Sequence, residues 1–353
     1  MSKQTLTFFE KIKKSNNDKQ INHPMSTFIY PKISIVTPSY NQGQFIEQTI
    51  KSILDQNYPN LEYIIIDGGS TDETVEIIKR YEDKISFWVS EKDNGQSDAI
   101  NKGIEKCTGD IFNWINSDDY LQPNSLFVIA EEYTKQPFTA LCGQVQVIDN
   151  TTFSHIRKSS NLSVSSENAI ANFNINQEGT WWSLKTIKEL KGVNEAFHYT
   201  MDLDLWIRAL STYSFDSFRR TDVVLSNFRR HENAKSTLNS NIPFTDDQFR
   251  KEELVIFNQF IPGRIPSFNY FDLFSIEKLN YTIDLSYSVP EVYKQKVTEL
   301  YLFKLLSYFF YNQQYELAKK CISSLEKIGI TQNKKDINYF QKKIFVEKLK
   351  FWK

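Results

Sequence analysis

The feature of this sequence that most constrains its fold is a regular alternation of apolar, β-branched runs with helical stripes between residues 32 and 116. Four runs predict β-strands, because they are rich in Val, Ile and aromatic residues and are bounded by turn residues: 33–37, 61–66, 85–90 and 110–116. Three stripes of apolar residues at helical spacing lie between them: 43–56, 71–81 and 97–106. Strands that alternate with helices in this way predict a parallel sheet with helices on its faces.

Polar side chains follow the end of each of these four strands. The four segments read TPSYN at 37–41, DGGSTD at 67–72, EKDNGQSDA at 91–99 and WINSDD at 114–119. One such turn means little, since Gly, Asn, Asp and Ser are common in turns. The carboxyl ends of parallel strands meet at one edge of the sheet, where α/β proteins bind ligands. Four polar segments at that edge indicate a site for a ligand with a base, a ribose and phosphates.

These segments, in this order and followed by Asn-Lys-Gly at 101–103, resemble the motifs of the bacterial family 2 glycosyltransferases. The resemblance is strong over residues 32–135 and looser over 136–240. It implies a GT-A fold, which is an α/β, Rossmann-like, mostly parallel sheet flanked by helices, and a reaction that inverts the anomeric configuration. The sequence has neither the Gln-x-x-Arg-Trp motif nor the spanning helices of the processive synthases of that family, so a non-processive addition of one sugar is implied.

The resemblance also implies which residues bind an NDP-sugar donor, with a UDP-sugar favoured. The implied residues are Pro38, Ser39, Tyr40 and Asn41 for the nucleotide pocket, Asp67 for the nucleobase, Lys92, Gly95 and Ser97 for the ribose and diphosphate, and Asn116 beside Asp118 for a ribose hydroxyl or a metal-bound water. In the family the acidic motif is commonly Asp-x-Asp. Asn116 takes the first place here and brings no charge.

A divalent cation is the second expectation at this edge of the sheet. A leaving nucleoside diphosphate carries dense negative charge, which Mg²⁺ or Mn²⁺ stabilises when one or two carboxylates hold the cation against the phosphates. Asp118 and Asp119 match the metal-binding motif, although an Asx cap on the following turn is the plainer alternative. The family often has a basic loop with a His near the metal, which predicts His231 as a further ligand. An ordinary surface loop explains that loop almost as well.

Asp202 is the predicted general base. Apolar residues recur at helical spacing from Leu203 to Leu210, so Asp202 falls at the start of a helix, where an acid could simply complement the helix dipole. In the family, a carboxylate that heads such a helix is the base, usually the second member of a Glu-Asp pair that reads Met201-Asp202 here. The reaction needs a base because the acceptor hydroxyl must lose its proton as it attacks the anomeric carbon.

Four residues between these two sites are candidates for the acceptor: Gln177, Glu178, Trp181 and Trp182. The amide and carboxylate could bond acceptor hydroxyls. Aromatic faces suit the apolar face of a sugar ring, but large aromatic residues are more often part of the core. Adjacent residues of a strand point to opposite faces, so at most one of the two tryptophans can line a cleft.

Composition narrows the classes of partner. The 42 basic residues balance 43 acidic ones, which argues against a nucleic-acid binder, and three scattered Cys argue against a disulfide framework. The start of the chain lacks the apolar core of a signal peptide, so a cytoplasmic protein is expected. Residues 342–353 are basic, with Phe345, Leu349 and Trp352 at helical spacing. This segment could contact an anionic membrane surface from the inner face or pack on the preceding helices, and packing is favoured.

These observations predict three regions: an N-terminal extension at 1–31, a GT-A domain at 32–240 and a helical C-terminal region at 241–353. Within the domain, 32–135 is the nucleotide-sugar-binding half and 136–240 the acceptor half. The predicted function is transfer of one hexosyl or N-acetylhexosaminyl group to a glycan or lipid-linked glycan in bacterial surface polysaccharide assembly. The alternative is a non-catalytic scaffold that retains the fold and binds a nucleotide-sugar. A nucleotide-dependent oxidoreductase is disfavoured, because no Gly-x-Gly-x-x-Gly turn follows the first strand.

Overall fold

The structure is a computed structural model that describes residues 29–149, 151–158, 165–172, 176–232, 234–235, 247–262, 268–276, 289, 291–329 and 334–350. The strands of these residues are β1 (Ile33–Ser39), β2 (Leu61–Asp67), β3 (Phe87–Ser90), β4 (Ile111–Trp114), β5 (Tyr120–Leu121), β6 (Ala140–Asp149), β7 (Thr152–Arg157), β8 (Thr180–Ser183) and β9 (Phe218–Arg230). The helices are α1 (Gly43–Leu54), α2 (Thr74–Lys79), α3 (Gln96–Lys106), α4 (Ser125–Lys135), α5 (Ser166–Ala171), α6 (Leu184–Glu189), α7 (Met201–Thr212), α8 (Gln248–Asn258), α9 (Tyr270–Phe274), α10 (Glu291–Tyr311), α11 (Tyr315–Lys327) and α12 (Lys334–Lys350).

The first half of the sheet is parallel, as the sequence predicts. β1 lies between β2 and β4, β3 pairs with the far side of β2, and all three pairings are parallel. Every residue of β1 and β4 is buried, which explains their continuous apolar runs. α3 packs closely on β1 at Gly103. A side-chain carbon at this position would overlap Val36 Cγ1, so only glycine fits. The four strand ends therefore lie side by side at one edge.

The second half makes the sheet mixed. The strand order is β3-β2-β1-β4-β8-β6-β9-β5, with β7 beside β6. β8 runs antiparallel between β4 and β6, and β9 runs parallel to β6. The predicted α/β fold with a sheet flanked by helices is thus confirmed: the sheet is parallel over residues 33–114 and becomes mixed beyond them.

Two elements lie in the stretch 150–175, where the sequence is polar and has no clear helix or strand pattern. β7 forms a hairpin with β6, and its residues are largely exposed, so its sequence carries no alternation of apolar and polar residues. α5 is a short helix that Ser165 caps through a bond from the Asn168 N–H. Its Ala169 and Ile170 are buried, but six residues are too few for a visible stripe.

The C-terminal helices extend the core of the sheet domain. α10 packs on α5 and α11, and α10 with α11 forms a helical hairpin. Phe257 of α8 stacks on Tyr301 of α10 with ring centroids 3.7 Å apart, which joins these helices through buried aromatic rings. The division at residue 240 remains a prediction.

The last helix contributes part of its apolar face to the same core. Ile337, Phe340 and Ile344 of α12 are buried. The side chains of Phe345, Leu349 and Trp352, on which the membrane interpretation depends, lie outside the described residues. Among the helices that the structure describes, none combines the length and apolar character that a bilayer crossing requires.

Candidate active site

A cavity of about 1300 Å³ opens at the carboxyl ends of β1 to β4. Its wall is formed by residues that end or follow these four strands, by the segment that leads into α7, and by residues after β9. Gly95, with a φ of +112°, turns the chain into α3 so that the helix begins at this wall. The geometry is that of a ligand site at the edge of a parallel sheet.

Seven of the ten residues predicted to bind the donor line this cavity. They are Pro38, Ser39, Tyr40, Lys92, Gly95, Asn116 and Asp118. The buried Ser39 hydroxyl makes no hydrogen bond within the described residues, so it is available to a ligand. Gln96, which was not predicted, donates from Nε2 to Asn116 Oδ1 at 2.7 Å and so helps to fix the amide in the cavity.

The other three predicted donor residues, Asn41, Asp67 and Ser97, do not line the cavity. Asp67 is fully buried, and its oxygens accept hydrogen bonds from the Gly69 and Ser70 N–H groups and from two hydroxyls. Asn41 accepts from the Thr71 N–H, and the Ser97 hydroxyl donates to the Phe197 carbonyl at 2.8 Å. In each case bonds within the protein occupy the side chain, which shapes the neighbouring loops instead of facing a ligand. Contact of these three residues with the donor stays a prediction.

The acidic pair after β4 has two different environments. Asp118 lies partly exposed in the cavity, and its Oδ2 is 3.0 Å from His231 Nε2. Asp119 is buried, and its Oδ1 accepts the Arg229 N–H at 3.0 Å. Burial raises the pKa of Asp119 well above its usual range, and the charges of Asp118 and Glu178 add to this effect. The three carboxyl groups thus repel one another at one end of the cavity.

The cation expected at this end fits the chemistry of these residues. Hard cations prefer carboxylate oxygens, and a bound positive charge would relieve the repulsion that raises the pKa of Asp119. His231 already lies against Asp118, as a shared ligand pair would require. Within the described residues, however, no group of three or more metal-binding side chains converges on one point. The assignment of Asp118, Asp119 and His231 as ligands therefore stays a prediction.

Asp202 lines the same cavity as Asp118 and Asp119. It is the second residue of α7, and its Oδ1 accepts the Leu203 N–H at 2.8 Å. Burial raises the pKa of Asp202 to about 6; the Leu203 N–H opposes this rise, and the charge of Glu252 adds to it. A carboxylate with such a pKa is a stronger base than an ordinary Asp and is still ionised at neutral pH.

Asp204, the other acid in the first turn of α7, has a different role. It is fully buried, and its Oδ2 accepts a bond from Arg208 Nε at 2.8 Å. Arg208 also donates to the carbonyls of Leu190 and Gly192. This pair ties α7 to the chain after α6 and does not reach the cavity.

The acceptor candidates divide into two pairs. Gln177 and Glu178 line the cavity, and Gln177 Nε2 donates to the Trp114 carbonyl at 2.7 Å. Trp181 and Trp182 do not: they are 0% and 3% exposed, and Trp182 packs edge-on against Trp206. β8 is an interior strand of the sheet and both tryptophan side chains are buried, so their contact with the acceptor stays a prediction that the cavity wall does not support.

Several residues of the cavity wall were not predicted from the sequence. Lys235 is the one with the best-defined contacts. Lys235 Nζ donates to Gln96 Oε1 at 2.9 Å and to the His198 carbonyl at 3.0 Å. Burial lowers the pKa of Lys235, and the charges of Glu252 and Asp118 oppose this fall. Arg157, Tyr199 and Phe249 also line the cavity. The basic loop after β9 was the one sequence signal for Lys235, and it gave no indication of which side chain turns inward.

Comparison with known proteins gives a family match over part of this chain. Residues 34–196 match the family model described as glycosyl transferase family 2. An uncharacterized glycosyltransferase of Rickettsia felis is 28% identical over 64% of this chain and 38% of its own length. One from Rickettsia typhi is 30% identical over 52% of this chain and 60% of its own length. The chain thus spans less than two thirds of the length of these relatives.

Two further comparisons concern named proteins. The putative teichuronic acid biosynthesis glycosyltransferase TuaG of Bacillus subtilis is 38% identical over 27% of this chain and 39% of its own length. The crystal structure of S. aureus TarS 1–349 in complex with UDP-GlcNAc superposes with a TM-score of 0.56 at 17% identity, and covers 84% of this chain and 80% of that one. At that identity the likeness shows the fold, which is GT-A.

Proposed function

The chain carries a glycosyl transferase family 2 domain at residues 34–196, and from this premise we propose that it is an inverting, non-processive glycosyltransferase. It moves one hexosyl or N-acetylhexosaminyl group from an NDP-sugar to a glycan or lipid-linked glycan. TarS was crystallised with UDP-GlcNAc, which favours a UDP-sugar donor. The likeness to TuaG favours a role in surface polysaccharide assembly.

One observation carries the proposal: Asp202 shares a single cavity with the acidic pair Asp118 and Asp119. An inverting transfer needs a base on one side of the anomeric carbon and charge stabilisation for the diphosphate on the other. Asp202, with a pKa of about 6, supplies the first, and a cation held at the end of the cavity around Asp118 would supply the second. The substrate sugar lies between them.

The reaction then follows from these positions. The Asp202 carboxylate takes the proton of the acceptor hydroxyl while the hydroxyl oxygen forms a bond to the anomeric carbon. The bond from that carbon to the diphosphate oxygen breaks, and its electron pair leaves with the nucleoside diphosphate. Lys235, at the Gln96 side of the cavity, adds positive charge near the leaving group. A divalent cation held by Asp118, with Asp119 and His231, would neutralise the diphosphate charge.

Asn116, Gln177 and Glu178 line the same cavity and can orient the sugars. The Asn116 amide is 3.5 Å from Gln177 Oε1, so the two side chains border one space in the cavity. Neutral amides donate and accept hydrogen bonds without adding to the negative charge at this end. We assign the amides of Asn116 and Gln177 to hydroxyl groups of the donor and acceptor sugars.

The test is the release of UDP from UDP-sugars, with water as acceptor, by the wild-type protein and by Asp202→Asn. We expect the variant to lose about 10² to 10⁴ of the rate, because general base catalysis contributes that much, while it still binds nucleotide. Asp83→Asn, an exposed acid outside the cavity, is the matched control and should keep full activity. Equal rates for wild type and Asp202→Asn would refute the proposal. Nucleotide-sugar binding without turnover in either protein would favour the scaffold alternative.

A lipid-linked acceptor would place the protein in the cytoplasm at the inner face of the membrane, and residues 342–353 are the proposed contact. Lys342 and Lys343 are exposed on α12. Sedimentation with anionic liposomes, compared between wild type and a protein with both lysines changed to Glu, tests this contact. Equal sedimentation of the two proteins would eliminate it.

A further inference from the structure

A buried carboxylate of the C-terminal region, Glu252 of α8, binds the segment that leads into the helix of Asp202. Glu252 is 0% exposed. Its Oε1 accepts the His198 N–H at 2.9 Å, and its Oε2 accepts the N–H groups of Tyr199 and Thr200, each at 2.9 Å. The Thr200 hydroxyl also donates to Oε2 at 3.0 Å. Three successive backbone donors thus converge on one side chain.

This arrangement anchors the residues that precede α7, a helix whose N-cap residue makes no side-chain bond to it. The first N–H groups of a helix have no partner within it, and an N-cap side chain usually meets this need. Thr200 precedes α7 and makes no side-chain cap to it; its hydroxyl bonds Glu252 instead. The start of α7 is therefore fixed from outside, by a residue that is 52 positions away in the sequence.

The same segment is held from the donor side of the cavity. Lys235 Nζ bonds the His198 carbonyl, while the His198 N–H bonds Glu252. Residues 198–200 thus lie between a cation at the cavity wall and an anion in the C-terminal helices. Asp202 follows two residues later, so its position depends on the bonds that Lys235 and Glu252 make to this segment.

We propose that Glu252 is a positioning residue for Asp202: by binding the backbone of residues 198–200 it sets where the Asp202 carboxylate stands in the cavity. The catalytic consequence rests on the proposed function, in which Asp202 is the base. The effect of Glu252 on the position of residues 198–200 does not depend on the proposed function. The C-terminal helices are then part of the catalytic apparatus, because α8 supplies a group without which the base would not be held in place.

The charge of Glu252 has a second effect on Asp202. It adds to the rise in the pKa of Asp202 that burial causes. Among the described residues, the charge of Glu178 before β8 also acts on Asp202, and that of Lys235 after β9 acts on Glu252. A variant that keeps the shape of Glu252 but removes its charge should lower the pKa of Asp202, because the carboxylate form is then less disfavoured.

The first test uses Glu252→Gln. We expect kcat for UDP release to fall on the order of a hundredfold, as for a misplaced catalytic group, with little change in KM for the donor. The acid limb of kcat/KM against pH should move to lower pH. Glu253→Gln is the matched control: this neighbour on α8 is buried and pairs with Arg250 and Lys304, away from 198–200. It should lower stability without moving the limb.

The second test does not depend on turnover. The pKa of the Asp202 carboxyl is measured by NMR titration in wild type and Glu252→Gln, and protection of the Tyr199 and Thr200 amides by hydrogen exchange. We expect a lower pKa and lower protection in the variant. If Glu252→Gln fails to fold, Thr200→Val replaces it: this variant removes one of the donors to Glu252 but keeps its charge, so it should lower the protection of the two amides by a smaller amount and leave the pKa of Asp202 almost unchanged. An unchanged pKa with unchanged amide protection would overturn the proposal, whether or not the protein turns over UDP-sugars.

Discussion

At the scale of single residues, the acids of the cavity differ in surroundings more than in chemistry. Asp118 is partly exposed beside His231, whereas burial raises the pKa of Asp119 and, to about 6, that of Asp202. Like groups that are held at different pKa values can divide the work of a reaction. Asp118 suits the charged, ligand-facing role, and Asp202 suits proton transfer.

The pKa of Asp202 predicts a pH dependence. Its value in the folded protein is about 6, above the ordinary 3.8, so the base is protonated and inactive in acid and becomes active as the pH rises through about 6. kcat/KM for UDP release should therefore show an acid limb near pH 6. A profile of initial rates in overlapping buffers measures it. A flat profile down to pH 5 would mean that another group is the base.

Asp118 predicts the response to metal. If its carboxylate holds the cation, Asp118→Asn should lose most of the stimulation by Mn²⁺, because an amide brings no charge to the site. Activity is measured after EDTA treatment and again with added Mn²⁺, for wild type and variant. The control is Asp93→Asn, an acid of the cavity wall next to Gly68 rather than next to His231, which should keep its response to metal. Equal stimulation of Asp118→Asn and wild type would contradict the assignment.

The sequence could predict these residues where a motif and a strand end coincide, as at Asp118, or where a helix start exposes an acid, as at Asp202. It could not place Asp67, because whether a carboxylate faces a ligand or its own loop depends on the turn geometry. It could not place Trp181 and Trp182 either, since their burial depends on residues that are distant in the sequence, such as Trp206 against Trp182. Burial of a side chain is a property of its neighbours.

At the scale of elements, α7 is the helix whose attachment matters most. α7 is held at two places. Glu252 binds the segment before it, and the buried pair Asp204–Arg208 ties it to the chain after α6. The side chains of this pair are 0% and 7% exposed, so neither charge is solvated if its partner is lost. Buried pairs of this kind are costly to break from one side.

Asp204→Ala should therefore lower the free energy of unfolding by about 3–5 kcal/mol, because it leaves the Arg208 guanidinium buried without its carboxylate. Urea unfolding followed by fluorescence measures the change. Lys185→Ala is a control with the same i,i+4 spacing, since the Lys185–Glu189 pair on α6 is largely exposed. It should leave stability almost unchanged. A similar effect of both changes would show that the buried pair has no special weight.

A helix or strand could be predicted from the sequence when the residues that determine it lie within the element itself. β1, β2 and β4 carry continuous buried runs, and α1 and α3 carry clear apolar stripes. α2 begins at Thr74, three residues later than predicted, because Asp72 accepts bonds from Thr74 and from the Gly43 N–H and keeps 70–72 in a turn. The antiparallel placement of β8 has no local signal, since it follows a long connection.

At the scale of the whole molecule, the cavity draws its wall from distant parts of the chain. Residues after four parallel strands form one side, and residues 198–202, Lys235 and Phe249 form the other. Phe249 belongs to α8, the helix that also carries Glu252. A ligand in the cavity therefore contacts the sheet and the C-terminal helices at once, so its binding should stabilise both together.

This arrangement predicts a single cooperative gain in stability on binding a nucleotide. A ligand present at about 100 times its Kd adds about 2.7 kcal/mol to the folded state if the unfolded chain does not bind it. UDP and UDP-sugars with Mn²⁺ should raise Tm by a few degrees, and ADP at the same concentration should raise it less. Differential scanning calorimetry of the full chain measures the shift, and Asp118→Asn should reduce it because the diphosphate loses its cation. If UDP raised the Tm of only one of two separate transitions, the sheet and the C-terminal helices would not share the ligand. If no nucleotide raised it, the cavity would not be a donor site.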